Sequence, residues 1–285
     1  MKILYITKGD HVDYQDDCLF IGLRELYGSD VVDYNKREVN YISYEEEALS
    51  RQYGWGMTVG RVLPDIEIDR TDITSKIKNN FFDLIVYGSI WRCSDYFEKV
   101  LEYYPREKVI IVDGEDLRSL NDLYKHGTPY FKRELMFSNS RLLPISFSFP
   151  TSKVNFCKQK NRDYSFITPL DRSTYIYQKE RDYFNDYRES RLGVTMCKRG
   201  WDCMRHYEIL GNGCIPLFLD LKSCPSDTMV SFPKDLCISV ERDLNSNTKP
   251  SDVYEKYIEQ FEDHFMKNNT TLAAAKQFIA TLEKL

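Results

Sequence analysis

The sequence lacks the long apolar segment that a membrane-spanning helix requires. None of the hydrophobic runs in its 285 residues approaches the roughly 20 residues that cross a bilayer. The opening run, residues 1–7, is too short for a secretion signal and is followed by no cleavage site. We therefore expect no membrane span and a cytoplasmic location.

The chain also has no excess of positive charge. Its 39 Lys and Arg residues are outnumbered by 44 Asp and Glu residues, and the net charge is −5. Proteins that bind nucleic acids usually carry clustered basic residues and a high isoelectric point. Nucleic acid is therefore not an expected partner.

Paired cysteines with metal-binding spacing are missing as well. The chain has eight cysteines, but none of them form a Cys-x-x-Cys pair. Without a secretion signal, reduced and packed thiols are the expectation, with no structural disulfide and no metal cluster.

The sequence does contain alternating strand and helix patterns. Its length fits two modest domains or one large domain, and 42% of its residues are hydrophobic. This alternation is typical of βαβ units around a parallel sheet. Strands are predicted at 2–7, 31–34, 83–88 and 108–114, and helices at 16–27, 73–80 and 96–104. Residues 36–70 are predicted to be a loop-rich insertion, with residues 54–60 as a flexible loop.

A proline-punctuated segment, residues 142–150, predicts the crossing into a second domain. The predicted domains are residues 1–147 and 148–285. In the second domain the patterns predict strands at 164–168, 193–196 and 236–240, and helices at 174–189, 253–267 and 272–282.

The most informative segment is residues 198–218, in which a cationic turn precedes a short helix, a double-glycine stop and a buried strand. A diphosphate needs positive charge and free backbone N–H groups, which Lys198, Arg199 and Gly200 can supply at a helix N-terminus. A ribose needs a carboxylate to accept its hydroxyl protons, and Glu208 lies about two helical turns further on. The segment therefore predicts a site for a sugar nucleotide.

Simpler roles remain open for these residues. Glu208 and Arg205 are three residues apart on one helix face and could form an exposed ion pair. Arg205 could bind phosphate or only orient Glu208, and Lys198 and Arg199 could form a solvated turn. His206 is off this face, so we expect it to be packed or to face solvent.

The residues Arg205, Tyr207 and Glu208, followed by Gly-Cys-Ile-Pro at 213–216, resemble the donor-binding segment of GT-B glycosyltransferases. The resemblance is closest to exostosin-like and glycosyltransferase family 1-like single-chain enzymes. It extends more weakly over most of the chain, through residues 17–34, 130–135 and 232–234.

This resemblance implies an α/β, GT-B-like fold with two facing Rossmann-type domains, parallel sheets and a last helix that packs back on the first domain. It implies transfer of a hexosyl or pentosyl group from a nucleoside-diphosphate sugar to a hydroxyl of a glycan or glycoconjugate, with no divalent metal required. The implied donor-binding residues are Lys198, Arg199, Gly200, Trp201, Arg205, Glu208 and Gly213, with Arg172 as a further candidate phosphate ligand.

Candidate bases for the acceptor hydroxyl follow two predicted strands. Ligands of parallel sheets bind outside the carboxyl ends of the strands, which places His11 and Asp13 at the cleft. Asp113 ends a later strand and is a third candidate.

Asp113 also opens an acidic run with Glu115 and Asp116. Such a run supports an alternative, a metal-dependent GT-A transferase in which these carboxylates hold the ion. It could equally be a polar loop on the acceptor side. A second alternative is a nucleotide-sugar-binding protein without catalytic activity. The sequence does not indicate an oligomeric state.

Overall fold

The first half of the chain forms a parallel sheet. A computed structural model describes residues 1–9 and 12–285. The six strands lie in the order β2-β1-β3-β4-β5-β6, and all neighbouring pairs are parallel. They are β1 (Ile3–Ile6), β2 (Val31–Tyr34), β3 (Leu84–Tyr87), β4 (Val109–Asp113), β5 (Tyr130–Lys132) and β6 (Leu142–Pro144). β1, β3 and β4 are buried throughout, as the central strands of a parallel sheet must be.

The helices that the described residues form between these strands are α1 (Tyr14–Tyr27), α2 (Ile73–Lys78) and α3 (Phe97–Tyr103). α1 begins where the Asp13 carboxylate accepts a hydrogen bond from the backbone N–H of Asp16. It ends at Gly28, whose φ of 57° suits glycine. These elements confirm the predicted β-strand and α-helix alternation.

The second half forms a smaller parallel sheet in the order β7-β8-β9. Its strands are β7 (Arg162–Tyr164), β8 (Ser190–Met196) and β9 (Ile215–Leu219). The helices of this half are α4 (Glu180–Arg188), α5 (Met204–Gly211), α6 (Lys234–Asn245), α7 (Pro250–Asn268) and α8 (Thr271–Leu282). The chain is thus α/β with two parallel sheets.

Two predictions for the second half were wrong in detail. Residues 236–240 form part of α6 rather than a strand. Cys237, Val240 and Leu244 fall on one helical face that packs into the core, and a five-residue segment with four apolar residues cannot distinguish a helix from a strand. The first strand of this half is β7, which begins earlier than the predicted 164–168.

The last helix packs against the first, as expected. A Cβ atom on Gly22 of α1 would lie 2.1 Å from the backbone oxygen of Thr271, so the two helix backbones are in close contact. Phe278 of α8 also packs on Phe131 of β5, with ring centroids 4.7 Å apart. α8 therefore completes the hydrophobic core beside the first sheet, although it is the last helix in the chain.

The insertion at residues 36–70 contains short 3-10 turns and loops, as predicted. All eight cysteines are free thiols. Within residues 1–9 and 12–285, no helix has the length and apolar character that crossing a bilayer requires.

Candidate functional site

A cavity of about 1030 Å³ lies where the carboxyl ends of both sheets meet. Ligands of parallel α/β sheets bind at this end of the strands, and the volume suits a large organic ligand. From the first half it is lined by residues that follow β1, β3, β4 and β5, and from the second half by residues that follow β7 and β8. These include Val12, Asp13, Arg92, Gly114, Glu115, Asp116, Arg133, Ile167, Arg172, Lys198, Arg199 and Gly200.

Four cations line the side contributed by the second half: Arg172, Lys198, Arg199 and Arg205. We call these residues the cationic wall. The Lys198 ammonium donates a hydrogen bond to the Tyr175 hydroxyl at 2.7 Å, and the Arg205 guanidinium lies 4.9 Å from the centre of the Tyr175 ring. The Nε atom of Arg205 is buried and has no hydrogen-bond partner within residues 1–9 and 12–285. In the part of the chain that the structure describes, none of the four pairs with a carboxylate.

Glu208 lies beside the cationic wall and is only 5% exposed. One carboxylate oxygen accepts a hydrogen bond from the Thr58 hydroxyl and the other from the Tyr183 hydroxyl, both at 2.5 Å. Burial raises the pKa of this carboxyl group. Each oxygen keeps a further lone pair for a ligand hydroxyl. The exposed Arg205–Glu208 ion pair that the spacing also allowed does not form among the described residues.

The partner of Glu208 on the first half, Thr58, is itself fixed by a charged network. Its backbone N–H donates to Oε1 of Glu180 at 2.6 Å, and the Lys153 ammonium lies 2.6 Å from the same oxygen. Lys153 also donates to the backbone oxygen of Gly60 at 3.1 Å. Burial lowers the pKa of Lys153, and Glu180 opposes that effect. This network joins the insertion to the second half directly beside Glu208.

The turn that carries Lys198 and Arg199 is held from the first half by Glu134. The Glu134 carboxylate accepts hydrogen bonds from the backbone N–H groups of Trp201 at 3.0 Å and Asp202 at 2.9 Å. A Cβ atom on Gly200 would lie 2.4 Å from Oε1 of Glu134, so a larger residue here would displace the carboxylate that holds the turn. Two of the backbone N–H groups in this turn are therefore already bonded, and a ligand phosphate would meet mainly side-chain cations.

The charged residues from the first half are paired with one another. The Asp13 carboxylate accepts hydrogen bonds from the Ser89 hydroxyl at 2.9 Å and from Arg92. Arg92 also lies 3.3 Å from Glu115, and Arg133 pairs with Asp116. We call these residues, Asp13, Arg92, Glu115, Asp116 and Arg133, the paired wall.

Seven of the predicted site residues line the cavity: Asp13, Arg172, Lys198, Arg199, Gly200, Arg205 and Glu208. His11 lies outside the described residues. The structure thus brings together the cations, the acid of α5 and one of the candidate bases.

Three predicted site residues do not line the cavity. Asp113 is fully buried, with Lys132 at 2.8 Å and the Tyr130 hydroxyl at 2.5 Å, which suits a structural ion pair. Trp201 stacks on Phe218 with ring centroids 6.5 Å apart. Gly213, at a φ of 69°, turns the chain after α5 against the backbone of Phe156.

His206 is packed, one of the two outcomes expected for it. It is fully buried, and its ring nitrogens lie 2.8 Å from the Thr195 hydroxyl and 2.8 Å from the backbone oxygen of Trp201. Burial lowers the pKa of His206 to about 3, so the ring is neutral at physiological pH.

The acidic run at 113–116 does not converge on a common point. Asp113 pairs with Lys132, Glu115 with Arg92 and Asp116 with Arg133. Across residues 1–9 and 12–285, no group of three or more His, Cys, Asp or Glu side chains is arranged to hold a metal ion.

Several residues of the site were missed from the sequence. Thr58 and Tyr183 bond to Glu208 from distant parts of the chain, and Arg92 holds Asp13. Asp202 also lines the cavity, and burial raises its pKa to about 6. The glycine-rich run at 54–60, predicted to be a flexible loop, is the sequence feature that could have indicated Thr58.

Comparison of the chain with models of protein families, with curated proteins and with solved structures found no match. The function is therefore inferred from the geometry of the cavity.

Proposed function

We propose that this protein is a glycosyltransferase that moves a sugar from a nucleoside-diphosphate sugar to an acceptor hydroxyl, most simply of a glycan. The observation that carries the proposal is the cationic wall: four cations that have no carboxylate partner among the described residues lie beside a buried carboxylate in one large cavity. Arg205 is half-buried and has no carboxylate partner among the described residues, and a charge in that position is costly in a folded protein. The other three cations are exposed, and a polyanionic ligand can pair with all four.

In this proposal the cationic wall binds the donor diphosphate. Lys198 and Arg199 are exposed at the cavity and would neutralise the charge that develops on the leaving diphosphate. Arg172 would add further positive charge. Arg205, whose Nε has no partner among the residues that the structure describes, would bind a phosphate oxygen. Glu208 would accept hydrogen bonds from ribose or sugar hydroxyls through its remaining lone pairs.

The acceptor would approach from the first half of the chain. Asp13 is the described candidate base, and Ser89 and Arg92 hold its carboxylate in place. His11 remains a candidate by its position after β1. The two halves would act as facing GT-B domains, residues 1–147 and 148–285. Their closure would exclude water, which otherwise hydrolyses the donor.

A thermal-shift screen of nucleoside diphosphates and their sugars tests this proposal, with and without EDTA. A ligand at 100 times its dissociation constant adds about 2.7 kcal/mol to the free energy of unfolding. We expect at least one to stabilise the protein and the same sugar nucleotide to support transfer or slow hydrolysis. Glu208→Gln should weaken that binding about tenfold, the loss of roughly one hydrogen bond to a charged group.

Glu259→Gln is the matched control, because Glu259 is 83% exposed and lies outside the cavity. If no nucleoside diphosphate or sugar derivative stabilises the wild type, the proposal is wrong. Activity that EDTA abolishes would instead support the metal-dependent alternative.

The paired wall favours a second candidate function, in which the protein binds sugar nucleotides without transferring the sugar. Asp13, Glu115 and Asp116 all form ion pairs with arginines, so their carboxylate oxygens are already engaged and are less available to an acceptor hydroxyl. This candidate predicts nucleotide binding with no transfer or hydrolysis across the donor panel.

A further inference from the structure

A turn of the insertion presents two aromatic rings to the cavity. The segment Tyr53–Gly56 continues to Thr58, and we call residues 53–58 the aromatic turn. Tyr53 and Trp55 both line the cavity, yet Tyr53 is 73% exposed and Trp55 is 37% exposed. Large rings left open to solvent inside a cavity offer faces on which a ligand ring can stack.

The backbone of the aromatic turn is held in an unfavourable conformation. Gly54, Trp55 and Gly56 have φ values of 58°, 57° and 64°, and Thr58 has a φ of 75°. A left-handed conformation is unusual for bulky and β-branched residues, and such strain persists only where the surroundings enforce it.

Contacts on both sides of the aromatic turn enforce this conformation. A Cβ atom on Gly54 would lie 2.4 Å from the Tyr14 hydroxyl, and the Tyr14 and Tyr53 rings lie 6.0 Å apart. At the other end Thr58 is bonded to Glu208 and Glu180. Because Tyr14 directly follows Asp13, the aromatic turn lies next to the paired wall.

The two sides of the cavity differ in charge. The second half contributes four cations against Asp202 and Glu208, whereas the first half contributes Arg92 and Arg133 against three carboxylates. A diphosphate is therefore attracted to the second half. The first half, with aromatic faces beside carboxylate and guanidinium groups, is complementary to a neutral ring that has one apolar face and several hydroxyls.

We propose that the aromatic turn is the acceptor subsite and that it binds a neutral pyranose ring. The C–H face of the sugar stacks on Trp55 and Tyr53, while its hydroxyls bind Asp13, Glu115 and Arg92. This assignment rests on the proposed transferase function, since it supplies the acceptor for that reaction.

Saturation-transfer NMR tests the subsite directly, with methyl pyranosides of glucose, galactose, mannose and N-acetylglucosamine as probes. At least one should receive saturation, strongest at the ring C–H protons of one face. Trp55→Gly removes the ring without backbone strain, because glycine accepts the left-handed conformation. It should weaken pyranoside binding about tenfold, equivalent to about 1.4 kcal/mol.

Two matched variants complete the experiment. Trp91→Ala removes another exposed tryptophan, 45% exposed and outside the cavity lining, and should leave pyranoside binding unchanged. Tyr53→Ala should weaken binding in the same direction as Trp55→Gly. Circular dichroism checks that each variant is folded.

The possible outcomes distinguish a failure of this inference from a failure of the proposed function. If nucleoside diphosphates bind but no pyranoside signal depends on Trp55, the subsite is wrong and the transferase proposal stands. If Trp55→Gly weakens nucleoside-diphosphate binding instead, the turn serves the donor and the assignment is overturned. If pyranosides bind through Trp55 but no nucleotide binds, the ring subsite is real and the transferase proposal fails.

Discussion

The two walls of the cavity differ in whether their charged side chains form ion pairs. On the paired wall each named carboxylate has an arginine, and behind it the buried Asp113 has Lys132. On the cationic wall the four cations have no carboxylate partner among the described residues. Charges that satisfy one another stabilise structure, while charges that remain unsatisfied are available to a ligand. The difference predicts which variants will lose stability and which will lose binding.

The largest expected effect comes from breaking the ion pair behind the paired wall. Lys132→Met leaves Asp113 buried without its cation, and both residues are fully buried. The free energy of unfolding should fall by about 3–5 kcal/mol, measured by urea denaturation. The double variant Asp113→Leu/Lys132→Met should recover much of this loss. A fall below about 1 kcal/mol in the single variant would contradict a structural role.

The cationic wall should respond in the opposite way. Lys198→Ala/Arg199→Ala should weaken nucleoside-diphosphate binding about a hundredfold, because two charge-assisted phosphate contacts are lost. Its stability should stay within about 0.5 kcal/mol of the wild type. Isothermal titration calorimetry measures the binding.

Lys222→Ala/Arg181→Ala removes the same charge from residues 71% and 76% exposed and serves as the control. If the two double variants lost the same affinity, the effect of the cationic wall on binding would come from overall charge and not from direct contacts with the diphosphate.

Asp202 connects the two walls and should give a pH-dependent stability. Burial raises its pKa to about 6, so the folded state holds more protons than the unfolded chain between about pH 4 and pH 6. The free energy of unfolding should therefore fall as the pH rises through this window. The contribution is about 2–3 kcal/mol, and Asp202→Asn should remove it. Identical pH profiles for the two proteins would show that Asp202 does not titrate in this range.

The smallest effect concerns the hydroxyl that joins the insertion to Glu208. Thr58→Val keeps the β-branched shape and the strained backbone but removes the hydrogen bond to Glu208. The free energy of unfolding should fall by about 1–2 kcal/mol. Thr71→Val removes an exposed hydroxyl bond to Asp69 and should cost much less. Equal costs would mean that the Thr58 bond is no more important than a surface contact.

Much of the local structure could be predicted from residue patterns. The apolar runs of β1, β3 and β4 indicated buried parallel strands, and Gly28 indicated the end of α1. The pattern failed at residues 236–240, where four apolar residues and Ser239 fit a strand and a helix equally well. The short β5 and β6 were not predicted, because three-residue strands carry too little pattern.

The site could be predicted only where its residues are neighbours in the chain. Lys198, Arg199, Arg205 and Glu208 lie within one segment, and the chemistry of a diphosphate and a ribose pointed to them together. Thr58 and Tyr183 meet Glu208 from 150 and 25 positions away, and no local spacing encodes such a contact. Asp113 was a candidate base because it ends a strand. Its carboxylate is bonded to Lys132 and Tyr130, which lie on the next strand, β5.

The sequence by itself determined the alternation of elements, the parallel sheets and the clustering of cations before α5, because these follow from hydrophobic periodicity and local charge. Only the tertiary structure decided which charges are paired and which remain open to a ligand. Pairing depends on distances between side chains on different strands, and those distances exist only once the sheets have formed and packed.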